Sequence, residues 1–466
     1  MITLRNYQDR KVGVFGLGKA GISTANSLAA SGAEVFAWDD NPENFAPLRG
    51  LAQVKLAEPA SWDWNNFKAL MLSPGVPLTH PAPHPVVELA KQHNVPVIGD
   101  IELFCEALPN KHKIGVTGTN GKSTTSALIT HILKTTEVNV ELGGNFGIPA
   151  LSLNPLEHDG CYVLELSSYQ LDLVKNAHFN IALLLNITPD HIDRHGTVAN
   201  YAEAKSAIFN HQTKYDYAII SIDDDYSRSI YTELKQTSKA KITAISCKNL
   251  LKQGVFVDKE GMLHDKLDPR AYLTLRINDI LNLAGHHNWQ NIAFAYTACR
   301  LYGLPPKEIE KGLRSFAGLR HRLQVVSTIN GIRFINDSKA TNAESTAHAL
   351  APFSNIYWIV GGKPKAGGIA SLEKYFPSIN HAFLIGESEE AFAATLDGKL
   401  NYTRCGTLEK AFEAASKMAL AEHKQNAVVL LSPACASFDQ WKNFEERGDA
   451  FCDRVEKLLS RIVVKK

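Results

Sequence analysis

Seven cysteines stand in 466 residues, at positions 105, 161, 247, 299, 405, 435 and 452, and no two form a Cys-x-x-Cys pair. Their odd number and wide spacing argue against a disulfide framework or a thiolate zinc site and fit a reducing compartment. No apolar run approaches the roughly 20 residues needed to cross a bilayer. The opening MITLRNYQDRK lacks the apolar stretch of a secretory leader. A cytoplasmic protein with no membrane partner is therefore expected. Neither sign of charge is in excess, since 49 Lys and Arg face 48 Asp and Glu. A nucleic-acid partner, which needs a cationic surface, is not expected either. Internal repeats and low-complexity segments are also missing.

What remains is the composition of an ordinary soluble enzyme, 45% hydrophobic and 21% charged, in a chain too long for one core. Short apolar strand candidates alternate with helical stretches, which predicts α/β layers with largely parallel sheets. Strands are expected at 12–15, 34–38 and 69–72, with a helix over 19–30 and a Pro/His-rich loop over 76–85. A second group begins with a strand at 113–116 and continues through 162–166 and 181–185. The stretch 223–279 is more polar and reads as peripheral. A third group holds strands at 332–335, 356–360, 382–385 and 428–431, with a helix over 408–420.

Two glycine-rich turns join a strand to a helix. Gly16-Leu17-Gly18-Lys19-Ala20-Gly21 has the form of a dinucleotide fingerprint, and Asp39 ends the next strand where a ribose-binding acid would sit. Alone it suggests a nicotinamide-dependent dehydrogenase, another nucleotide site or a structural turn. The second, Gly118-Thr119-Asn120-Gly121-Lys122-Ser123-Thr124, is more telling. Its backbone N–H groups would cradle phosphates, Lys122 would neutralise them and a hydroxyl would face Mg²⁺. It departs from the strict P-loop pattern, with Val116 in place of the first glycine.

Further segments carry chemistry-bearing residues, each with a plainer alternative. Glu165 ends a buried strand near the phosphate loop and would suit Mg²⁺, or would only cap a helix. Asn186-Ile187-Thr188-Pro189-Asp190-His191-Ile192-Asp193-Arg194-His195 has the density of a metal cluster, zinc included, or of a hydrogen-bonded turn with a solvated His195. Lys205, within Tyr201–Ile208 read as helix, looks like a surface charge. Asn288 and Asn291 share a helix face or cap its start. His321-Arg322 could form an interdomain salt bridge. Asp337-Ser338-Lys339-Ala340-Thr341-Asn342 could be a capped helix start. Cys435, within Ser432-Pro433-Ala434-Cys435-Ala436-Ser437-Phe438, has no base to activate it.

Taken together and in this order, these segments resemble the Mur ligase and folylpolyglutamate synthase superfamily, whose members join a carboxylate to an amine at the expense of ATP. The resemblance implies an α/β protein of three domains. These are an N-terminal Rossmann-like domain for a UDP substrate (1–100), a central P-loop ATPase-like domain (101–318) and a C-terminal Rossmann-like domain for an amino acid (319–466). Asp337–Asn342 and Ser432–Phe438 resemble the D-glutamate-adding branch, with UDP-N-acetylmuramoyl-L-alanine, D-glutamate and ATP as substrates in peptidoglycan synthesis. Other amino-acid ligases, a dehydrogenase and a non-enzymatic nucleotide-binding regulator are the competing readings.

The roles that follow are those the resemblance implies. Gly118 to Thr124 hold ATP, Asn288, Asn291 and Arg322 approach it, and Asp337 meets its ribose as the third domain closes. Two Mg²⁺ ions are expected, one at Ser123 and Glu165 and one at His191 and Lys205, whose amine is carbamylated by CO₂. Gly18, Lys19, Asp39, Ser73, Pro74, Gly75 and Asn145 bind the UDP substrate. Lys339, Thr341, Lys365, Ser437, Phe438 and Phe444 form the D-glutamate pocket. A monomer is expected. Asp40-Asn41 lacks the arginine some members carry in the uridine pocket. Lys363-Pro364 stands where an acid–glycine pair is common.

Overall fold

The computed structural model describes residues 1–157, 159–268, 270–283, 285–364 and 367–463. They form two compact units, one of Met1–Asp279 with His286–Ser315, the other of Ile280–Gly285 with Phe316–Lys466.

The first unit contains two sheets. Strands β1 (Lys11–Phe15), β2 (Glu34–Trp38), β3 (Val54–Leu56), β4 (Phe67–Leu72) and β5 (Val97–Ile98) run parallel in the order β3-β2-β1-β4-β5. The second sheet comprises β6 (His112–Thr117), β7 (Val140–Gly144), β8 (Cys161–Glu165), β9 (Ile181–Leu184), β10 (Tyr217–Ser221), β11 (Lys241–Ser246), β12 (Gly254–Val257), β13 (Met262–Asp268) and β14 (Ala271–Arg276). Its order is β14-β13-β12-β11-β10-β9-β6-β8-β7, and only the β12–β13 and β13–β14 pairs are antiparallel. The polar stretch 223–279, expected to be peripheral, thus adds β11 to β14 along one margin.

Parallel strands buried on both faces require near-continuous apolar runs. β8 and β9 meet this, with every residue buried. One core runs through both sheets, from Val12, Val35 and Met71 to Tyr162, Leu164 and Ile220. Ser27 Oγ, on helix Lys19–Ala30, reinforces the join by donating to the Leu151 carbonyl at 3.2 Å.

The second unit is built on β15 (Gln324–Ile329), β16 (Ile332–Asn336), β17 (Ile356–Gly361), β18 (Ile379–Ile385), β19 (Tyr402–Gly406) and β20 (Val428–Leu431). Their order is β15-β16-β20-β17-β18-β19, antiparallel only between β15 and β16. Alternate residues of β17 face opposite cores. Ile356, Trp358 and Val360 enter one, Tyr357 and Ile359 the other, as the period of two dictates. In all three sheets many of the candidate residues lie at or just beyond the carboxyl ends of parallel strands, the usual ligand-binding edge of such sheets, whereas Lys205, Asn288 and Asn291 lie within helices. Among the described residues no helix is long and apolar enough to cross a membrane.

Candidate active site

β6 lies between β9 and β8, so the loops after these three strands converge. The first is Gly118–Gly121, leading into helix Lys122–Thr135. Gly121 has φ +85°, and a Cβ there would stand 2.2 Å from Asn291 Oδ1. Only glycine serves at that position. Asn291, whose Oδ1 also accepts from Thr125 Oγ1 and whose amide donates to Asn288 Oδ1, is buried beneath the loop with Asn288. Asn186, after β9, accepts the Thr119 N–H on its carbonyl and the Asn120 N–H on its side chain, both at 2.9 Å. Ser123 and Thr124 occupy the first turn of the helix, the end whose dipole favours an anion.

Three charged groups surround this loop. Lys122 Nζ donates to the carbonyls of Gly118 and Thr119, each at 2.9 Å. Lys205 Nζ donates to the same Gly118 carbonyl at 2.9 Å and lies 4.5 Å above the Tyr201 ring. Far from being a surface charge, Lys205 is 1% exposed. Burial and then the Lys122 cation hold its amine well below the usual lysine range, against the opposing pull of Asp190 and Glu165. Glu165, at the end of β8, accepts the Asn145 amide at 3.0 Å on Oε1. Its Oε2 is buried with no hydrogen-bond partner among the described residues. A buried carboxylate oxygen left unpaired is costly, and a bound cation would remove that cost.

His191 lies just before the short helix Ile192–His195 with φ +53°, and its Nε2 is 3.5 Å from Asp190 Oδ2. Both side chains are about half exposed, at 47% and 48%, and so remain open to a ligand. His195 is not solvated. It is buried, 3.0 Å from Ser168 Oγ through Nε2, and burial above all pushes it down to about 4. Among the described residues no three His, Cys, Asp or Glu side chains converge on a metal position. The donor set fits Mg²⁺. That ion needs only one or two protein oxygens and takes the rest from phosphate and water.

In the first sheet, Gly16 (φ +87°) turns the chain after β1, and a Cβ on Gly21 would stand 1.9 Å from the Gly16 carbonyl oxygen. Asp39 accepts the Leu17 N–H on one oxygen and the Asn41 N–H on the other, at 2.5 and 2.8 Å. Ser73 Oγ donates to the Gly16 carbonyl at 2.6 Å. Gly18 and Lys19 are exposed beside this loop, and Ser73-Pro74-Gly75 follows β4.

In the second unit, the loops after β16, β20 and β17 converge. Asp337 is buried, accepting the Leu323 N–H at 3.1 Å and the Ser432 hydroxyl at 2.8 Å, and burial pushes it up to about 7. Arg322, half-buried, adds an attractive charge. Lys339 Nζ stands 3.9 Å above the Phe444 ring, and Thr341 is half-buried nearby in sequence. Ser437 is buried, whereas Phe438 is 67% exposed. Lys365 lies outside the described residues.

Three family models match in succession. They are the Mur ligase MurD-like N-terminal domain over residues 10–99, the Mur ligase middle domain over 116–299 and the Mur ligase glutamate ligase domain over 321–435. The chain is 47% identical over 456 residues to the UDP-N-acetylmuramoylalanine–D-glutamate ligase of Paramagnetospirillum magneticum, covering 98% of each. It is 46% identical over 462 residues to that of Chelativorans sp., again covering 98% of each. The chain belongs to the Mur ligase family. Solved Mur ligase structures share the fold at lower identity. UDP-N-acetylmuramate-alanine ligase MurC of Thermotoga maritima gives a TM-score of 0.56 at 18% identity, covering 96% of this chain and 99% of that one. The UDP-N-acetylmuramoylalanyl-D-glutamyl-2,6-diaminopimelate–D-alanyl-D-alanyl ligase of Acinetobacter baumannii gives 0.57 at 18%, covering 95% and 93%.

Two arginines to which the sequence reading gave no role tie loops of this Mur ligase together. Arg447, fully buried, donates to Ser338 Oγ and to the carbonyls of Ser338, Cys435 and Ala436 at 2.9–3.3 Å. It ties the loop after β16 to the loop after β20. Arg194 donates to the carbonyls of Pro74, Gly75 and Val76. Sequence offers one signal for the first. A charged residue that falls on the inward face of the amphipathic helix Phe444–Val463 must have buried partners.

Proposed function

We propose that this Mur ligase adds D-glutamate to UDP-N-acetylmuramoyl-L-alanine, with ATP, in the cytoplasmic steps of peptidoglycan synthesis, and acts as a monomer. The reading is supported by full-length identity of 46–47% to relatives bearing that name. Its geometric support is the glycine loop with two lysine amines on one of its carbonyls, beside a buried, unpartnered Glu165 oxygen.

In this reading the L-alanine carboxylate attacks the γ-phosphorus of ATP and displaces ADP. The D-glutamate nitrogen then attacks the acyl carbon, and collapse of the tetrahedral adduct expels phosphate and leaves an amide. Lys122 and the N-terminal end of the helix it opens neutralise the transferring phosphoryl group, while Asn186 holds the Thr119 and Asn120 N–H groups and so the shape of the loop. Mg²⁺, when bound, supplies charge neutralisation between phosphate oxygens and the reacting carboxylate. Ser123 and Glu165 would hold one ion, His191 and Lys205 the other. Lys205 qualifies because its buried amine favours the neutral form that takes up CO₂, and the resulting carbamate is an anionic ligand. Asn145 orients Glu165 and reaches the muramoyl substrate. The Gly16–Gly21 loop holds the UDP diphosphate with Lys19, while Asp39 and Ser73-Pro74-Gly75 line the nucleotide. In the second unit Lys339, Thr341, Lys365, Ser437, Phe438 and Phe444 take D-glutamate.

The test is phosphate release with ATP, Mg²⁺ and UDP-N-acetylmuramoyl-L-alanine, with D-glutamate or with L-alanine, L-glutamate or a diamino acid. Release that depends on D-glutamate alone is expected. Release with another amino acid would move the enzyme to a different step, and no release with any would overturn the reading.

A further inference from the structure

The two ends of the proposed UDP substrate are served by loops on different sheets of the first unit, and one side chain spans them. Arg194 leaves the short helix Ile192–His195 that begins just after His191. Its Nη1 donates to the Gly75 carbonyl at 2.8 Å, and its Nη2 to those of Val76 at 3.0 Å and Pro74 at 3.4 Å. Donation from a fixed planar fork onto three consecutive carbonyls fixes orientation as well as distance. The guanidinium also lies 4.7 Å above the Tyr169 ring, which stacks on His195 at 5.4 Å and 13°. Tyr169 follows Glu165 closely, and its ring is 5.0 Å from that of His191. A further contact lies alongside, since a Cβ on Gly196 would stand 2.7 Å from His80 Nε2.

We infer that Arg194 is a positioning residue that sets the span between the uridine end and the reacting carboxylate end of the UDP substrate. The inference rests on the function proposed above. The loop at Ser73 is independently anchored within its own sheet through Ser73 Oγ and Gly16 O. The shared core holds the two sheets together, so loss of Arg194 leaves the uridine pocket formed and loosens only the placement of residues 74–76 against His191 and Glu165. Small misplacements of this kind cost up to roughly 100-fold in rate.

The experiment compares wild type with Arg194→Gln and Arg194→Lys. It measures steady-state constants for all three substrates and calorimetric binding of UDP alone and of UDP-N-acetylmuramoyl-L-alanine. In Arg194→Gln, kcat/KM for the muramoyl substrate should fall roughly 10- to 100-fold. UDP affinity and the KM for ATP should stay within about twofold, because neither ligand spans the two loops. Arg194→Lys, which keeps the charge but not the fork, should recover only part of the loss. Equal loss of affinity for UDP and for the full substrate, full rescue by lysine, or unchanged kinetics would each overturn the inference alone. Wild-type protein that binds neither UDP nor the muramoyl substrate would overturn the functional reading and the inference with it.

Discussion

The two glycine loops of the first unit have the same architecture and opposite electrostatics. Each follows a parallel strand at the point where strand order reverses, and each opens a helix. Around Gly16–Gly21 the buttress is a carboxylate, with both Asp39 oxygens accepting backbone N–H groups. Around Gly118–Gly121 it is two lysine amines on one carbonyl, next to a carboxylate oxygen with no partner. The same turn is thus set against a carboxylate in one place and against two amines in the other, and the roles proposed above assign the first to a diphosphate that is held and the second to a phosphoryl group that is transferred.

Substitutions should separate the two loops. Lys122→Ala should lower phosphate release about 100-fold or more, the usual cost of losing one electrostatic donor to a transition state. A rate within a few-fold of wild type would erase the distinction. Lys205→Ala should lose most activity and regain part of it with formate or acetate. The pH dependence of CO₂ activation tests the same residue. Burial favours the neutral amine, so Lys205 loses its proton below the usual lysine range. Bicarbonate should therefore activate strongly toward alkaline pH and fade as acid restores the ammonium, and the opposite slope would contradict the carbamate.

The first loop should respond through shape. Gly21→Ala drives a methyl group into the Gly16 carbonyl, 1.9 Å away. It should cost about 1–3 kcal/mol in urea unfolding and raise the KM for the muramoyl substrate but not for ATP. Asp39→Asn should act least. Its amide can accept one N–H and must oppose the other, costing about 1 kcal/mol and a several-fold rise in the same KM. If Asp39→Asn instead altered the KM for ATP, the two loops would not be independent.

Much of this site is legible in the sequence. The phosphate loop, Glu165 at a strand end and the order of the segments follow from local pattern. Lys205 is not, because its partner is the Gly118 carbonyl, 87 residues away, and composition sees only a lysine on a polar helix. His195 is hidden similarly, since the Tyr169 and Tyr201 rings that bury it come from two other segments. Arg194 and Arg447 are the least visible. Nearly all their acceptors are backbone oxygens, which a sequence does not distinguish from one residue to the next.

That choice of acceptor has a consequence for substitution. Arg447 grips the loop at 435–436 through its carbonyls, so the grip does not depend on which side chains those positions carry. A side-chain replacement at either position leaves the acceptor oxygens in place, so what limits change there is the packing around buried Cys435 and not the hold of the arginine. The path of the main chain and the identity of its side chains are thereby set by separate contacts.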